Sequence, residues 1–199
     1  MILMWGVLGL VNESQAANIY VDQTLSSDCT SGTYSIANRN CNGADGRAYN
    51  TIQEAVNAMN GGDDIYIRGG TYTLGSGGTE GVTHIGLENA PDGTAENKCS
   101  LQSYPGEWAI IDGNDNQLKN EACVGDIYDD SYNIAYWIFE RFEITDCSFS
   151  GGSYGMVVNG RNNAFRYLYF HDITTNLACT VADNPAALIF CTTGEVLLL

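Results

Sequence analysis

Trp137-Ile138-Phe139-Glu140-Arg141-Phe142-Glu143-Ile144 and Ala164-Phe165-Arg166-Tyr167-Leu168-Tyr169-Phe170 read as two passes through one pattern. A shift of 26 residues lays Phe142 on Leu168 and Ile144 on Phe170, a period that belongs to architectures built from stacked units. Successive side chains of a strand alternate between its faces, so Phe142 and Ile144 point inward while Arg141 and Glu143 point outward. Between the two passes lies a third apolar run, Gly155-Met156-Val157-Val158-Asn159, bounded by Gly152 and Gly160. A strand, a turn, a second strand and a return at this spacing make one rung of a parallel β-helix. That all-β solenoid is the expected fold class, with a β-sandwich as the alternative.

Working outward, the N-terminal half carries the same punctuation. Asp64-Ile65-Tyr66-Ile67-Arg68 and Thr71-Tyr72-Thr73-Leu74 are separated by Gly69-Gly70. Cys99-Ser100-Leu101-Gln102-Ser103 precedes a turn at Pro105-Gly106, and Trp108-Ala109-Ile110-Ile111 ends at Asp112-Gly113. Short strands broken by Gly, Asn and Asp call for an all-β protein. One helix interrupts them, over about 51–60. Thr51-Ile52-Gln53-Glu54 is a capping box, Ile52, Ala55, Val56 and Met59 recur at helical spacing, and Gly61-Gly62 offers a left-handed stop.

The 199 residues suit one domain. Only 16% are charged, against 23 Gly and 12 Tyr, a balance that favours strands and tight turns over exposed helices. Eight basic and 24 acidic side chains leave a net charge of −16, so a nucleic-acid backbone would be repelled and no nucleic-acid partner is expected. Residues 2–11 are apolar but too few to span a bilayer, and no stable membrane insertion is expected. That run and Ser14-Gln15-Ala16-Ala17 read as a leader over 1–16, with small residues at the cleavage positions; a buried first strand is the alternative. A basic start is missing, since no Lys or Arg precedes Arg39. The remaining 17–199 form the expected domain.

Seven cysteines occur at 29, 41, 99, 123, 147, 179 and 191, none in a C-x-x-C pair. Disulfides in an oxidising compartment are the expected use, with Cys29–Cys41 closing a Gly/Ser/Asn-rich loop. Export, to a secreted, extracellular or periplasmic location, is therefore expected. Glu195-Val196-Leu197-Leu198-Leu199 reads as the start of a further coil rather than a polar cap, so the chain is expected to be truncated there.

Tyr49-Asn50-Thr51-Ile52-Gln53-Glu54-Ala55-Val56, Gly62-Asp63-Asp64-Ile65-Tyr66-Ile67 and Gly70-Thr71-Tyr72 together resemble the opening of the pectate-lyase-like right-handed parallel β-helix superfamily. The resemblance runs from about Asn18 to the end. It implies a short amphipathic helix capping a right-handed solenoid, and an extracellular protein that meets long acidic polysaccharides along an exposed sheet. It implies Ca2+-assisted β-elimination on a polyuronate such as pectate or alginate. No lyase subfamily's catalytic motif is matched, and lyases, hydrolases and non-catalytic surface proteins share the fold. A glycan-binding adhesin-type protein and a glycoside hydrolase therefore stand as the alternatives.

The chemistry of such a site directs the search for residues. Beta-elimination from a uronate needs its carboxylate neutralised, usually by calcium on acidic side chains, and a Lys or Arg base. Asp126, Asp129 and Asp130 put three carboxylates within five residues and are the candidate Ca2+ ligands; a solvated loop is the alternative. Asp112-Gly113-Asn114-Asp115-Asn116 fails the EF-hand pattern at its sixth and twelfth places and reads as a turn. Arg141 and Arg166, 25 residues apart, are the candidate catalytic bases, expected side by side on neighbouring rungs. Ion pairing to Glu140, Glu143 or Asp172 is their alternative role. Arg161, Tyr167 and Tyr169 are the candidate substrate contacts, the two tyrosines sharing the face opposite Leu168 and Phe170. His171-Asp172 resembles a dyad, but neighbours on a strand point opposite ways, so His171 reads as a surface or turn residue.

Overall fold

The structure, a computed structural model, describes residues 16–75, 77–115, 122–125, 133–148, 154–173, 187–190 and 196–198. In chain order the elements are β1 (Asn18–Val21), β2 (Arg47–Tyr49), α1 (Ile52–Ala58), β3 (Asp64–Ile67), β4 (Gly70–Thr73), β5 (Cys99–Ser103), β6 (Ala109–Asp112), β7 (Ala122–Val124) and β8 (Ile134–Ala135). They continue with β9 (Trp137–Glu140), β10 (Phe142–Thr145), β11 (Tyr154–Arg161), β12 (Ala164–Arg166), β13 (Leu168–Phe170), β14 (Ala187–Phe190) and β15 (Val196–Leu198).

The strands fall into three separate sheets, with orders β12-β9-β5-β3-β1-β2, β15-β13-β10-β6-β4 and β14-β11-β7. The two-residue β8 also pairs with β11. The first sheet is parallel throughout. The other two each contain one antiparallel pairing, β13 with β15 and β11 with β14.

This arrangement corrects the expected right-handed parallel β-helix. A solenoid needs every pass of the chain to run the same way through each sheet and close into a continuous coil. The reversed β14 and β15 break that rule, and no such closure is present among the described residues. The chain is mostly β, largely parallel, with one short helix. What the repeat does set is register: the 26-residue shift pairs Glu143 with Tyr169 and Ile144 with Phe170 in one sheet, and Phe139 with Phe165 in another.

The apolar positions explain why these sheets hold. Ile19, Ile65, Leu101, Phe139 and Phe165 face one another across the first sheet, and Tyr72, Ile111, Ile144 and Phe170 across the second. All but Phe165 are fully buried, in a core that also takes Trp137 and Phe142. Phe139 stacks between Trp137 and Phe165, with ring centroids 5.4 and 5.3 Å apart. At inner faces of this kind each buried large side chain contributes roughly 1.5–3 kcal/mol.

Helix α1 packs Ile52, Ala55 and Val56 onto this core and is shorter than the 51–60 expected. Thr51 is extended and its Oγ accepts the Glu54 N–H at 3.2 Å, as the capping box requires. The Glu54 carboxylate takes the Thr51 hydroxyl at 2.7 Å rather than reaching the cap amide. The amides of Ile52 and Gln53 instead donate to the carboxylate of Glu80, at 2.9 and 3.3 Å. The helix stops because Met59 is extended, and Gly62, at φ +90°, turns the chain toward β3.

Residues 22–46 fold back over the outer face of β1, where Leu25, Cys29 and Tyr34 bury Tyr20 and Ala48. The expected Cys29–Cys41 disulfide closes this loop. Beneath it Asp22 is fully buried, bound by Arg39 Nε and Nη2 at 2.9 and 2.6 Å and by the Tyr34 hydroxyl at 2.7 Å. Burial alone would raise the Asp22 pKa, but the bonds from Arg39, Tyr34 and Thr24 win and hold it well below the usual carboxylate range. Arg68 extends the network, donating to Tyr34 Oη at 2.8 Å and to Glu107 at 2.6 Å. A second disulfide, Cys123–Cys147, ties β7 to the residues after β10.

Candidate functional site

The chain changes direction at bends that hold residues in the left-handed region. Tyr136 and Asn162 have φ 59° and 59°, Arg141 and Tyr167 58° and 52°, Asp146 and Asp172 51° and 51°. Each pair is 26 residues apart, so equivalent bends stand on neighbouring passes. Positive φ is uncommon outside glycine, and at such a residue the in-out alternation of a strand is interrupted.

These bends relocate the two arginines. Register sets Arg166 opposite Glu140 on the first sheet, while the equivalent of Arg141 is Tyr167. The expectation that Arg141 and Arg166 stand side by side on neighbouring passes is thereby corrected, since a spacing of 25 misses the 26-residue period by one position. Both arginines instead pair with Glu140: Arg141 through Nη1, and Arg166 through Nε at 3.4 Å. Arg141 Nη2 also donates to Gln102 Oε1 at 2.7 Å. Arg161 ends β11 and is exposed beside Asn162, at the far side of β12 from Tyr167.

On the second sheet three equivalent positions line one corner. Trp108 precedes β6, Arg141 precedes β10 and Tyr167 precedes β13. Trp108 is 41% and Tyr167 51% exposed, the large hydrophobics left open to solvent among the described residues. Neighbouring strands lie about 4.8 Å apart, so the two rings are carried roughly 10 Å from one another. Tyr167 stands at the corner rather than on the strand face, which corrects the expectation that it shares a face with Tyr169. Tyr169 is within β13, half-buried, directly opposite Glu143.

Glu143 is the centre of this face. Its Oε2 accepts from Trp108 Nε1 at 3.1 Å, and its Oε1 lies 2.8 Å from His171 Nε2. The other ring nitrogen of His171, Nδ1, lies 2.7 Å from Asp172 Oδ2 and 3.2 Å from Thr145 Oγ1. The ring itself rests on Tyr169, with centroids 4.7 Å apart. His171 is the 26-residue equivalent of Thr145, an outward position on the sheet. Alternation argued that His171 and Asp172 diverge; the left-handed bend at Asp172 brings them together. Burial would lower the His171 pKa, but bonds to Glu143 and Asp172 outweigh it and leave the imidazole above its ordinary value. Nearby, Asp146 is pushed up by burial and by the charges of Asp112, Asp115 and Asp172. Asp112 Oδ1 accepts the Asn114 N–H at 2.7 Å, the turn expected there.

The signal for this site lay in the 26-residue period, which joins Thr145 to His171 and Asp146 to Asp172. The candidate Ca2+ ligands Asp126, Asp129 and Asp130 lie outside the described residues. Among the described residues no cluster of three or more His, Cys, Asp or Glu side chains is arranged to hold a metal ion, and no helix is long and apolar enough to cross a membrane. Cys99 is a buried free thiol whose Sγ accepts the Gly62 N–H at 3.1 Å, and burial pushes its pKa up to about 11. Nothing matches this chain in comparisons with protein-family models, curated proteins and solved structures.

Proposed function

We propose that this chain is an exported glycan-binding protein that holds a polysaccharide along the corner formed by Trp108, Arg141 and Tyr167. The observation that carries the reading is the pair of exposed aromatic side chains, Trp108 and Tyr167, at equivalent register positions just before β6 and β13, two strands apart, on either side of the Arg141 position. Sugar rings stack on such amphipathic faces, which combine apolar area with low conformational-entropy cost. A spacing of two strands suits a disaccharide unit. Glu143, fixed by Trp108 and His171, keeps acceptor capacity for sugar hydroxyls. Disulfides Cys29–Cys41 and Cys123–Cys147 support an oxidising, extracytoplasmic location.

Binding without cleavage is favoured here over β-elimination. The two arginines named as bases are both spent on Glu140, and a guanidinium held by a carboxylate is a poor proton acceptor. The carboxylates around Glu143 and Asp146 also disfavour an acidic polymer, so the fitting partner is an uncharged glycan.

Affinity electrophoresis in gels containing a soluble neutral glucan, with polygalacturonate in parallel, tests this. Retardation in the neutral gel is expected, and Trp108→Ala or Tyr167→Ala should weaken it about 5- to 30-fold with the far-ultraviolet circular dichroism unchanged. Equal migration of the parent and both variants in every gel would sink the reading. Retardation in polygalacturonate alone would return the acidic polymer in its place.

A further inference from the structure

Both ring nitrogens of His171 face carboxylate oxygens at hydrogen-bond distance, Nε2 toward Glu143 at 2.8 Å and Nδ1 toward Asp172 at 2.7 Å. A neutral imidazole carries one N–H and cannot serve two ionised carboxylates; the imidazolium carries two and can. The surroundings also determine which bond yields. Thr145 Oγ1 lies 3.2 Å from Nδ1 and can donate its proton there, whereas no hydroxyl among the described residues is offered to Nε2 in the same way. The Asp172 side chain is 70% exposed and meets water on release, while that of Glu143 is 16% exposed and already bound by Trp108.

We propose that His171 is a proton-operated strap: as the imidazolium it ties Glu143 on β10 to Asp172 past β13, and as the neutral ring it keeps Glu143 and lets Asp172 go. Among the described residues, the charged groups around the ring are Glu143 from β10, Asp146 just beyond β10, and Asp172 beside it; Asp112 and Asp115, past β6, act on Asp146. All are acidic, so among the described residues the imidazolium is the one compensating charge beside them. Losing its proton restores repulsion between Asp146 and Asp172, which occupy equivalent bends on adjacent passes. The strap thus couples the pH of the surroundings to the order of that bend, whatever the aromatic corner binds.

The test is a titration of the whole protein followed by long-range proton–nitrogen spectra of its two histidines, with His84→Gln assigning the signals. The His171 midpoint is expected above the ordinary 6.5, and the proton lost should be the one on Nδ1. Asp172→Asn, an exposed and conservative change, should lower the midpoint, and Glu143→Gln should also lower it. A midpoint that neither variant moves would overturn the proposal. So would loss of the Nε2 proton in place of the Nδ1 proton.

Discussion

Glu80 is a buried carboxylate placed where the first amides of α1 need acceptors. Its two oxygens take the N–H groups of Ile52 and Gln53, yet burial outweighs those bonds and raises its pKa to about 7. The folded state therefore binds this proton more tightly than the unfolded state does. The linked stabilisation is fully present below the ordinary value of 4.5 and is lost as pH rises through about 7. Chemical denaturation between pH 4 and pH 8 should show it, with Glu80→Ala flattening the profile in that window. The variant should also cost about 1–3 kcal/mol at pH 5, because two amides lose their partner. An unchanged pH profile would mean that Glu80 does not titrate there. No residue pattern announced Glu80: the capping box at Thr51 and Glu54 was legible because it is local, whereas Glu80 arrives from 28 residues away.

Elements were legible wherever pattern and pairing are short-range. The strands containing Ile65, Tyr72, Leu101 and Ile111 stand close to where alternation and flanking glycines put them. The left-handed bends were not legible, since Tyr167 and Asp172 carry no glycine to mark them and alternation was carried straight through. That is why the face of Tyr167 and the divergence of His171 from Asp172 were misread. The reversed directions of β14 and β15 escaped for a different reason, because no local signal separates a parallel from an antiparallel partner. The loop 22–46 makes the element-scale prediction. Its Cys29–Cys41 bridge closes 12 residues of chain, for which loop-closure entropy predicts roughly 3 kcal/mol. The double variant Cys29→Ala/Cys41→Ala should lose about 2–4 kcal/mol in urea unfolding without reductant. A loss under about 0.5 kcal/mol would show that the Asp22, Arg39 and Tyr34 network holds the loop unaided.

For the molecule as a whole, charge is the dominant long-range fact. Five of the eight basic side chains, Arg39, Arg47, Arg68, Arg141 and Arg166, are committed to carboxylates at short range. With 24 acidic side chains against eight basic ones, most of the acidic groups cannot have a basic partner of their own. Raising ionic strength from about 0.01 to 0.15 M shortens the Debye length from about 30 to 8 Å and should relieve this repulsion. Calorimetry should then show the thermal midpoint rising by about 2–4 °C per kcal/mol relieved; a flat or falling midpoint would contradict it. The bends have one more consequence. A tyrosine, an arginine, an aspartate and an asparagine all occupy the same left-handed geometry here, so these bends are not reserved for glycine and can display side chains of differing chemistry. Surface chemistry can then drift, one position per pass, while the interior stays fixed. Such a molecule is a keyboard whose keys are replaceable: Arg141 and Tyr167 can be exchanged at its surface while the buried Phe142 stays in place.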